Sequence, residues 1–240
     1  MRLHAIVPAV LMVLGSAMHH SDASSLMVSP SESERNEKAV LKYLWPALKS
    51  AGKAGRIYYQ ATCQPDEIFP VAFPHIDAQP PSEGQAGLAA IQEIFRNNKD
   101  AKVTKGPSGI VRIMIGKIPT AILRTRISVL TLDPLDQYNP QLAIVAVEQA
   151  KEVQASMRHL SVRVPPILFD MLVAQPAEGL FHLPTALTKV TMDQALDQVA
   201  TTFQGIVLYA ACSRPRLFDL DFTGGYNFDD RWLTTESGPQ

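Results

Sequence analysis

Apolar residues along this chain of 240 residues recur at helical spacing in some segments and at strand spacing in others. Spacings of three and four predict helices over 34–50, 82–96, 140–160 and 191–204. Apolar runs and alternation predict strands over 56–63, 103–105, 110–115, 122–132, 206–212 and 216–222. With at least four helices and several strands, the chain is predicted to have an α+β fold, with helices packed on a mixed or mainly antiparallel sheet.

Helix boundaries are predicted from the capping residues. Ser82 with Gln85, and Thr191 with Gln194, stand at the spacing of a capping box before amphipathic segments. Pro46 lies inside the first predicted helix and favours two short pieces.

Two segments of the chain resemble each other. Gly55 precedes a strand that ends in Cys63, and Gly205 precedes a strand that ends in Cys212. A proline follows shortly after each cysteine, at Pro65 and Pro215. The fold is therefore predicted to contain two related halves, with chance agreement over these few positions as the alternative.

The first 23 residues have the pattern of a secretory signal peptide. Arg2 precedes an apolar run over 5–14, and small residues follow at 15–17 and 21–23. The apolar run is shorter than the roughly 20 residues of a membrane span. We expect export to the periplasm or the cell exterior, with a buried N-terminal helix or strand as the alternative interpretation.

The predicted domain organisation follows from composition. Ser-rich residues 24–33 indicate a flexible linker, residues 34–223 the α+β domain, and polar residues 224–240 a loosely ordered tail. A division into two sub-domains near 133–139 or 162–185 stays open.

Composition and charge narrow the classes of partner. The chain is 46% hydrophobic and 19% charged, with a net charge of −1 at pH 7, which is typical of a globular protein. This charge balance does not favour binding to nucleic acid. After the leader, no segment has 18 consecutive apolar residues, so no transmembrane segment is expected in the mature chain.

The two cysteines, Cys63 and Cys212, are 149 positions apart. In an exported protein an even count favours a disulfide, which over such a loop contributes about 5 kcal/mol by chain entropy. Two separate buried thiols, or a nucleophilic cysteine, are the alternatives.

The sequence shows no catalytic, cofactor or metal motif. After residue 23 the histidines are His75, His159 and His182, and no two of them are four residues apart. A site assembled in space from Asp219, Asp221 and His182 is the alternative.

Aromatic residues also occur in the polar tail. Tyr226, Phe228 and Trp232 are candidates for contact with a partner, or for docking on the domain itself.

Residues 189–200 provide a resemblance to a known family. Thr191, Ala195-Leu196 and Gly205 with the strand 206–209 match the pattern of the secretin and TonB short N-terminal domain, in which a strand precedes a threonine-capped helix and a second strand follows a glycine. The likeness covers residues 187–222. It implies a periplasmic interaction module without the channel part and carries no catalytic residues.

The sequence thus predicts an exported, non-enzymatic binding or interaction module with an envelope protein as partner. A small secreted hydrolase with a spatially assembled Asp/His site is the alternative, and a structural envelope component is a third hypothesis. The oligomeric state stays open.

Overall fold

The structure, a computed structural model, describes residues 31–61, 72–106, 109–164, 181–212 and 216–224. The described helices are α1 Glu32–Ser50, α2 Gly87–Ile94, α3 Pro134–Tyr138, α4 Pro140–Gln149, α5 Lys151–Leu160 and α6 Met192–Thr202. The described strands are β1 Gly55–Gln60, β2 Ala101–Lys105, β3 Val111–Ile115, β4 Arg126–Thr131, β5 Ala186–Thr191, β6 Gly205–Cys212 and β7 Leu217–Gly224. The predicted α+β class is confirmed.

Five of the strands form one mixed sheet in the order β2-β3-β1-β6-β7. Strands β1, β3 and β6 run parallel, while β2 and β7 pair antiparallel at the two edges. Strands β4 and β5 form a separate antiparallel pair.

Helices cover both faces of the large sheet. On one side, the α1 face, Leu44 and Leu48 pack with Ile57 and Leu208 in one core cluster. On the other side, the α6 face, helices α4, α5 and α6 and the β4–β5 pair bury a second cluster. Alternate residues of β6 enter the two clusters, so this strand is buried along its whole length. Apolar burial on both faces is typical of a strand at the centre of such a sheet.

Helix α1 differs from its prediction in two ways. It begins at Glu32, inside the predicted linker, because the Ser31 hydroxyl and the Glu34 carboxylate form a capping box. It also continues through Pro46 to Ser50. A proline inside a helix costs about 3 kcal/mol, and burial of apolar residues on both sides of Pro46 offsets that cost.

The predicted capping box at Ser82 and Gln85 is wrong. Helix α2 begins only at Gly87, without a side-chain cap. The Ser82 hydroxyl donates instead to Glu93, over 2.6 Å, and Gly84 has a φ of +82° that a helix does not allow. The local turn and the Glu93 carboxylate therefore compete successfully with helix initiation.

The single helix predicted over 140–160 is also wrong. The chain breaks at Ala150, whose ψ of 131° is extended, and separates α4 from α5. The Gln154 side-chain amide donates to the Glu148 carbonyl over 2.9 Å and replaces one of the lost helical bonds. The break keeps both Val147 and Val153 in the core.

The predicted strand 122–132 is shorter than expected. Residues Ile122–Arg124 form a 3-10 helix, and only Arg126–Thr131 are extended, paired with β5. Ile122 and Leu123 are nevertheless buried. The apolar pattern therefore predicted burial correctly here, but not the strand conformation.

The C-terminal elements follow the prediction closely. The Thr191 hydroxyl accepts from the Gln194 amide over 3.2 Å, and the Gln194 side chain accepts from the Thr191 amide over 2.8 Å, as a capping box requires. Strands β6 and β7 and the β2–β3 hairpin also confirm the predicted segments. The two strands that share the sequence likeness, β1 and β6, are parallel neighbours, with Gly55 opposite Ile206. None of the helices that the structure describes is long and apolar enough to cross a membrane.

Candidate functional site

Charged residues from two strands and one helix meet inside the protein. Arg56 on β1 and Arg112 on β3 lie directly opposite each other in the parallel ladder. Asp193 and Asp197 stand four residues apart on α6, so both carboxylates lie on one face of the helix. These four residues are called the Arg–Asp cluster.

Each carboxylate of the Arg–Asp cluster contacts both guanidinium groups. Asp197 accepts from Arg56 Nη1 over 2.9 Å and from Arg112 Nη2 over 2.5 Å. Asp193 lies 2.8 Å from Arg112 Nη2 and 3.3 Å from Arg56 Nη1. The Tyr58 hydroxyl donates to Asp193 over 2.9 Å, and its ring lies under the Arg56 guanidinium at 4.7 Å.

Burial decides what the Arg–Asp cluster does. Arg56 is 0% exposed and Asp197 is 6% exposed, and two positive charges balance two negative charges. Burial by itself would lower the pKa of Arg112, but Tyr58 and the two aspartates raise it above its ordinary value. Arg56 Nη1 and Arg112 Nη2 pair with both carboxylates, while Arg56 Nε and Nη2 and Arg112 Nε are buried without a hydrogen-bond partner among the described residues. Because the four charges balance, the cluster clamps α6 onto β1 and β3 and has a structural role.

A polar cleft of about 650 Å³ opens above the Arg–Asp cluster. Its walls include Arg112, Asp193 and Asp197 together with Lys189, Gln194 and Gln198. The two aspartates already accept hydrogen bonds from arginines. The charged floor of the cleft is therefore engaged within the protein.

A second cavity, of about 370 Å³, lies at the carboxyl end of β6 on the α6 face. We call it the β6 pocket. Tyr209 and Ala211 of β6 contribute to it, and most of its other described lining is apolar, including Pro119, Ile122, Leu160, Val162, Leu217 and Phe218. An apolar cavity with few polar groups is the usual form of a small-molecule site.

Specific contacts hold the walls of the β6 pocket. The Tyr209 hydroxyl donates to the Pro119 carbonyl over 2.9 Å, and its ring stacks on Phe218 with centroids 5.7 Å apart. Arg216 Nη1 donates to the carbonyl of Leu160, the last residue of α5, over 2.9 Å. Burial raises the pKa of Tyr209, so its hydroxyl keeps its proton. The pocket is thus pre-formed by segments distant in sequence.

A polar groove of about 560 Å³ lies at the carboxyl ends of β1 and β3. Gln60, which lines it, accepts from the Lys117 amide over 3.1 Å. The Asn98 side chain forms two hydrogen bonds with the backbone of Asp77: Oδ1 accepts from the Asp77 amide, and Nδ2 donates to the Asp77 carbonyl. Much of its polar lining is therefore occupied by bonds that fix neighbouring loops.

The predicted acidic pair, Asp219 and Asp221, lies on edge strand β7. These residues stand opposite Ala210 and Leu208 of β6, whose side chains belong to the core of the α1 face. Directly opposite residues share a face of the sheet, so both carboxylates are on the α1 side. Burial, with a contribution from Asp221, raises the pKa of Asp219 to about 6.

His182 lies on the opposite side of the sheet. Its ring is 5.2 Å from that of Tyr138 at the end of α3, and Nδ1 is 3.0 Å from the Leu183 carbonyl. Leu183 is fully buried in the core of the α6 face. The structure therefore does not bring His182 together with the acidic pair.

Other carboxylates have raised pKa values. Burial, followed by the charges of Asp221 and Glu34, raises the pKa of Glu37 on α1 to about 7. Burial, followed by the charge of Asp219, raises the pKa of Glu148 on α4 to about 8. Among the described residues, no group of three histidine, cysteine or acidic side chains is placed to hold a metal ion.

The remaining predicted site residues divide between the described and undescribed parts of the chain. Cys212 ends β6, is buried, and contributes to the wall of the β6 pocket. Cys63 and the tail residues Tyr226, Phe228 and Trp232 lie outside the described residues.

The sequence did not predict the Arg–Asp cluster or the β6 pocket. An arginine in an apolar strand and two aspartates at helical spacing were the available signals for the cluster. The pocket has no such signal, because its walls come from separate segments.

Comparison with known proteins found no matching family model, no similar curated protein and no similar solved structure. Function is therefore inferred from the geometry of this chain.

Proposed function

We propose that this chain is an exported, non-enzymatic binding module that holds a small apolar ligand in the β6 pocket. The observation that carries the proposal is the apolar cavity of about 370 Å³ beside the end of a parallel strand. Ligand pockets in proteins are typically about 300–1,000 Å³ in volume. An apolar cavity of about 150 Å³ already binds benzene. The β6 pocket therefore has room for a chain or ring of several carbon atoms.

The position of the β6 pocket supports the same proposal. In open sheets, ligands bind outside the carboxyl ends of parallel strands. Ala211 and Cys212, the last two residues of the parallel strand β6, contribute to the wall of the pocket. The cavity thus lies at the end of the sheet where such ligands bind.

The side chains of the β6 pocket support binding without catalysis. The Tyr209 hydroxyl keeps its proton and donates a hydrogen bond to the Pro119 carbonyl. The Arg216 guanidinium is not a nucleophile. The alternative of a hydrolase requires Asp219, Asp221 and His182 to converge, but they lie on opposite sides of the sheet. We therefore do not propose hydrolysis.

We also propose a disulfide between Cys63 and Cys212. The Ala61 amide donates to the Ala211 carbonyl over 3.0 Å, so the end of β1 remains beside β6 at the residue before Cys212. Cys63 follows Ala61 by two residues. Formation of the S–S bond releases two protons and passes two electrons to a disulfide-bearing oxidant of the exported compartment.

Mass spectrometry of the alkylated protein, before and after reduction, tests the disulfide. Two modified thiols before reduction would contradict it. N-terminal sequencing of protein recovered from expressing cells tests export, because removal of the leader gives a mature chain that starts at residue 24. An intact Met1 on the recovered protein would contradict export.

The resemblance to the secretin and TonB short N-terminal domain supports a periplasmic location. Strand β5, the Thr191-capped helix α6, Gly205 and β6 follow one another in the order that the resemblance requires, although β5 and β6 belong to different sheets. An envelope protein is the proposed macromolecular partner, with Tyr226, Phe228 and Trp232 as its proposed contact.

A chain-length series of neutral alcohols tests ligand binding. Each methylene that enters an apolar pocket contributes about 0.8 kcal/mol, which is about fourfold in affinity. Calorimetric titration with hexan-1-ol, heptan-1-ol and octan-1-ol should show this increment for the purified protein. Equal affinity for the three alcohols, or no binding, would refute the proposed function.

Two tryptophan variants locate the binding. Ala121 lines the β6 pocket and is exposed, so Ala121→Trp fills the cavity from its surface and should abolish the chain-length increment. Ala155→Trp places the same side chain on the exposed surface of α5, away from the pocket lining, and should bind like the unaltered protein. Equal binding by the two variants would place the alcohols elsewhere.

A further inference from the structure

We infer that the ligand of the β6 pocket is an amphipathic monoanion, an apolar chain that ends in a carboxylate, with Arg216 as the residue that binds the charge. The inference rests on the proposed function and adds the chemical class of the ligand.

Arg216 is the one charged side chain in the described lining of the β6 pocket. It is exposed although it lines the cavity, so its guanidinium stands at the entrance. One of its nitrogens, Nη1, donates to the Leu160 carbonyl over 2.9 Å, which fixes the side chain against the end of α5. A guanidinium has five N–H donors, and the others are left to face a bound carboxylate.

Backbone contacts hold Arg216 as well. The Arg163 amide donates to the Arg216 carbonyl over 3.0 Å, and the Phe218 amide donates to the Arg163 carbonyl over 3.1 Å. The segment that carries Arg216 is thus attached to the segment that follows α5. A positioned guanidinium loses less rotamer freedom on binding than a mobile one.

The described charged side chains at and just after the end of α5 are basic. Arg158 and Arg163 are exposed there, next to Leu160 and Val162 of the pocket wall. No carboxylate side chain lines the described wall. The nearest acidic residue of α5, Glu152, is in the first turn, where it accepts from the Ser128 amide. The local field therefore favours an anion over a cation.

The apolar interior of the β6 pocket favours a fatty acid over a small anion. Beyond Arg216 the described lining is mainly apolar, so acetate or phosphate would leave most of the cavity unfilled. A chain with a single terminal carboxylate fills the cavity and meets one guanidinium. This match fits a medium-chain carboxylic acid.

Three probes with the same eight-carbon chain test the charge: octanoate, octan-1-ol and octylammonium, titrated calorimetrically at pH 8. Octanoate should bind about tenfold more tightly than octan-1-ol, and octylammonium more weakly than either. The advantage of octanoate should shrink at high salt, because the entrance is exposed to solvent. Equal binding of octanoate and octan-1-ol would overturn the inference and leave the proposed function intact. Failure of all three to bind would refute the proposed function.

Two substitutions then identify the residue. Arg216→Gln should remove the advantage of octanoate while octan-1-ol binds within about twofold of its original affinity. Arg158→Gln removes a nearby exposed charge that does not line the pocket, and should keep most of the advantage. If Arg158→Gln removes the advantage as fully as Arg216→Gln, the assignment to Arg216 is wrong. Binding of octan-1-ol by Arg216→Gln shows that this variant is folded.

Discussion

The substitution Asp197→Asn tests whether the Arg–Asp cluster stabilises the fold. Asp197 is 6% exposed and accepts from two guanidinium groups, at 2.9 Å and 2.5 Å. Asparagine keeps the shape of the side chain but removes its charge, so Arg56 and Arg112 share the single carboxylate of Asp193. The variant thereby leaves one positive charge buried without compensation.

The magnitude follows from the two contacts. A hydrogen bond to a charged group contributes about 1.5–3 kcal/mol, and removal of one partner from a buried ion pair costs about 3–5 kcal/mol. Because the introduced amide would still accept one hydrogen bond, we expect a loss of about 3 kcal/mol in the free energy of unfolding. With a urea m-value of about 2–3 kcal/mol/M, the unfolding midpoint should fall by about 1–1.5 M.

Urea unfolding followed by circular dichroism measures the effect of Asp197→Asn. Asp100→Asn is the matched control, because Asp100 is exposed, and its change should stay within about 0.5 kcal/mol. Asp193→Asn should fall between the two, since the Asp193 side chain is 23% exposed. A loss below about 1 kcal/mol for Asp197→Asn, with an unchanged m-value, would refute the assignment of a clamp.

Further predictions concern the α1 face and the start of β6. The pKa of Glu37 is raised to about 7 in the folded state, so the folded state binds this proton more tightly than the unfolded state does. The resulting contribution to the free energy of unfolding is complete below pH 4.5 and is lost as the pH rises through 7. Glu37→Gln should therefore flatten the increase in stability between pH 8 and pH 5, on the order of 3 kcal/mol, in thermal unfolding at several pH values; an unchanged pH profile would contradict this. A Cβ at Gly205 would overlap the ring of Phe222, so Gly205→Ala should lower stability by about 1–3 kcal/mol in urea. Phe222→Leu should restore part of that loss in the double variant, and an additive double variant would contradict the steric reason.

Local sequence predicted a helix start correctly at Thr191 and wrongly at Ser82. The two capping boxes have the same spacing, but Gly84 adopts a positive φ and Glu93 binds Ser82 from a distance of 11 residues. Likewise, the break at Ala150 falls on a strong helix former, so tertiary packing and not propensity separates α4 from α5. Capping and periodicity describe local preferences, and these exceptions arise from contacts that are not local.

The candidate site was less predictable than the fold. Apolar runs identified β6 and β7, which contribute Tyr209 and Phe218 to the β6 pocket. The opposite wall comes from Pro119 and Leu160, and only the folded chain brings these residues next to β6. Arg216 was placed at the start of a strand, but its role depends on the carbonyl of Leu160, to which it binds.

The parallel pairing of β1 with β6 also constrains how this molecule assembles. Gly55 and Ile206 lie opposite each other where β1 pairs with β6, yet about three-fifths of the chain separates them. A ribosome that synthesises the N-terminal end first releases α1 and β1 long before their partner strand exists. Contacts between residues so far apart in sequence slow folding. Until β6 has been synthesised, the side of β1 that pairs with β6 therefore has no partner strand. A chaperone that binds this early intermediate would meet the unpaired backbone N–H and C=O groups along that side of β1.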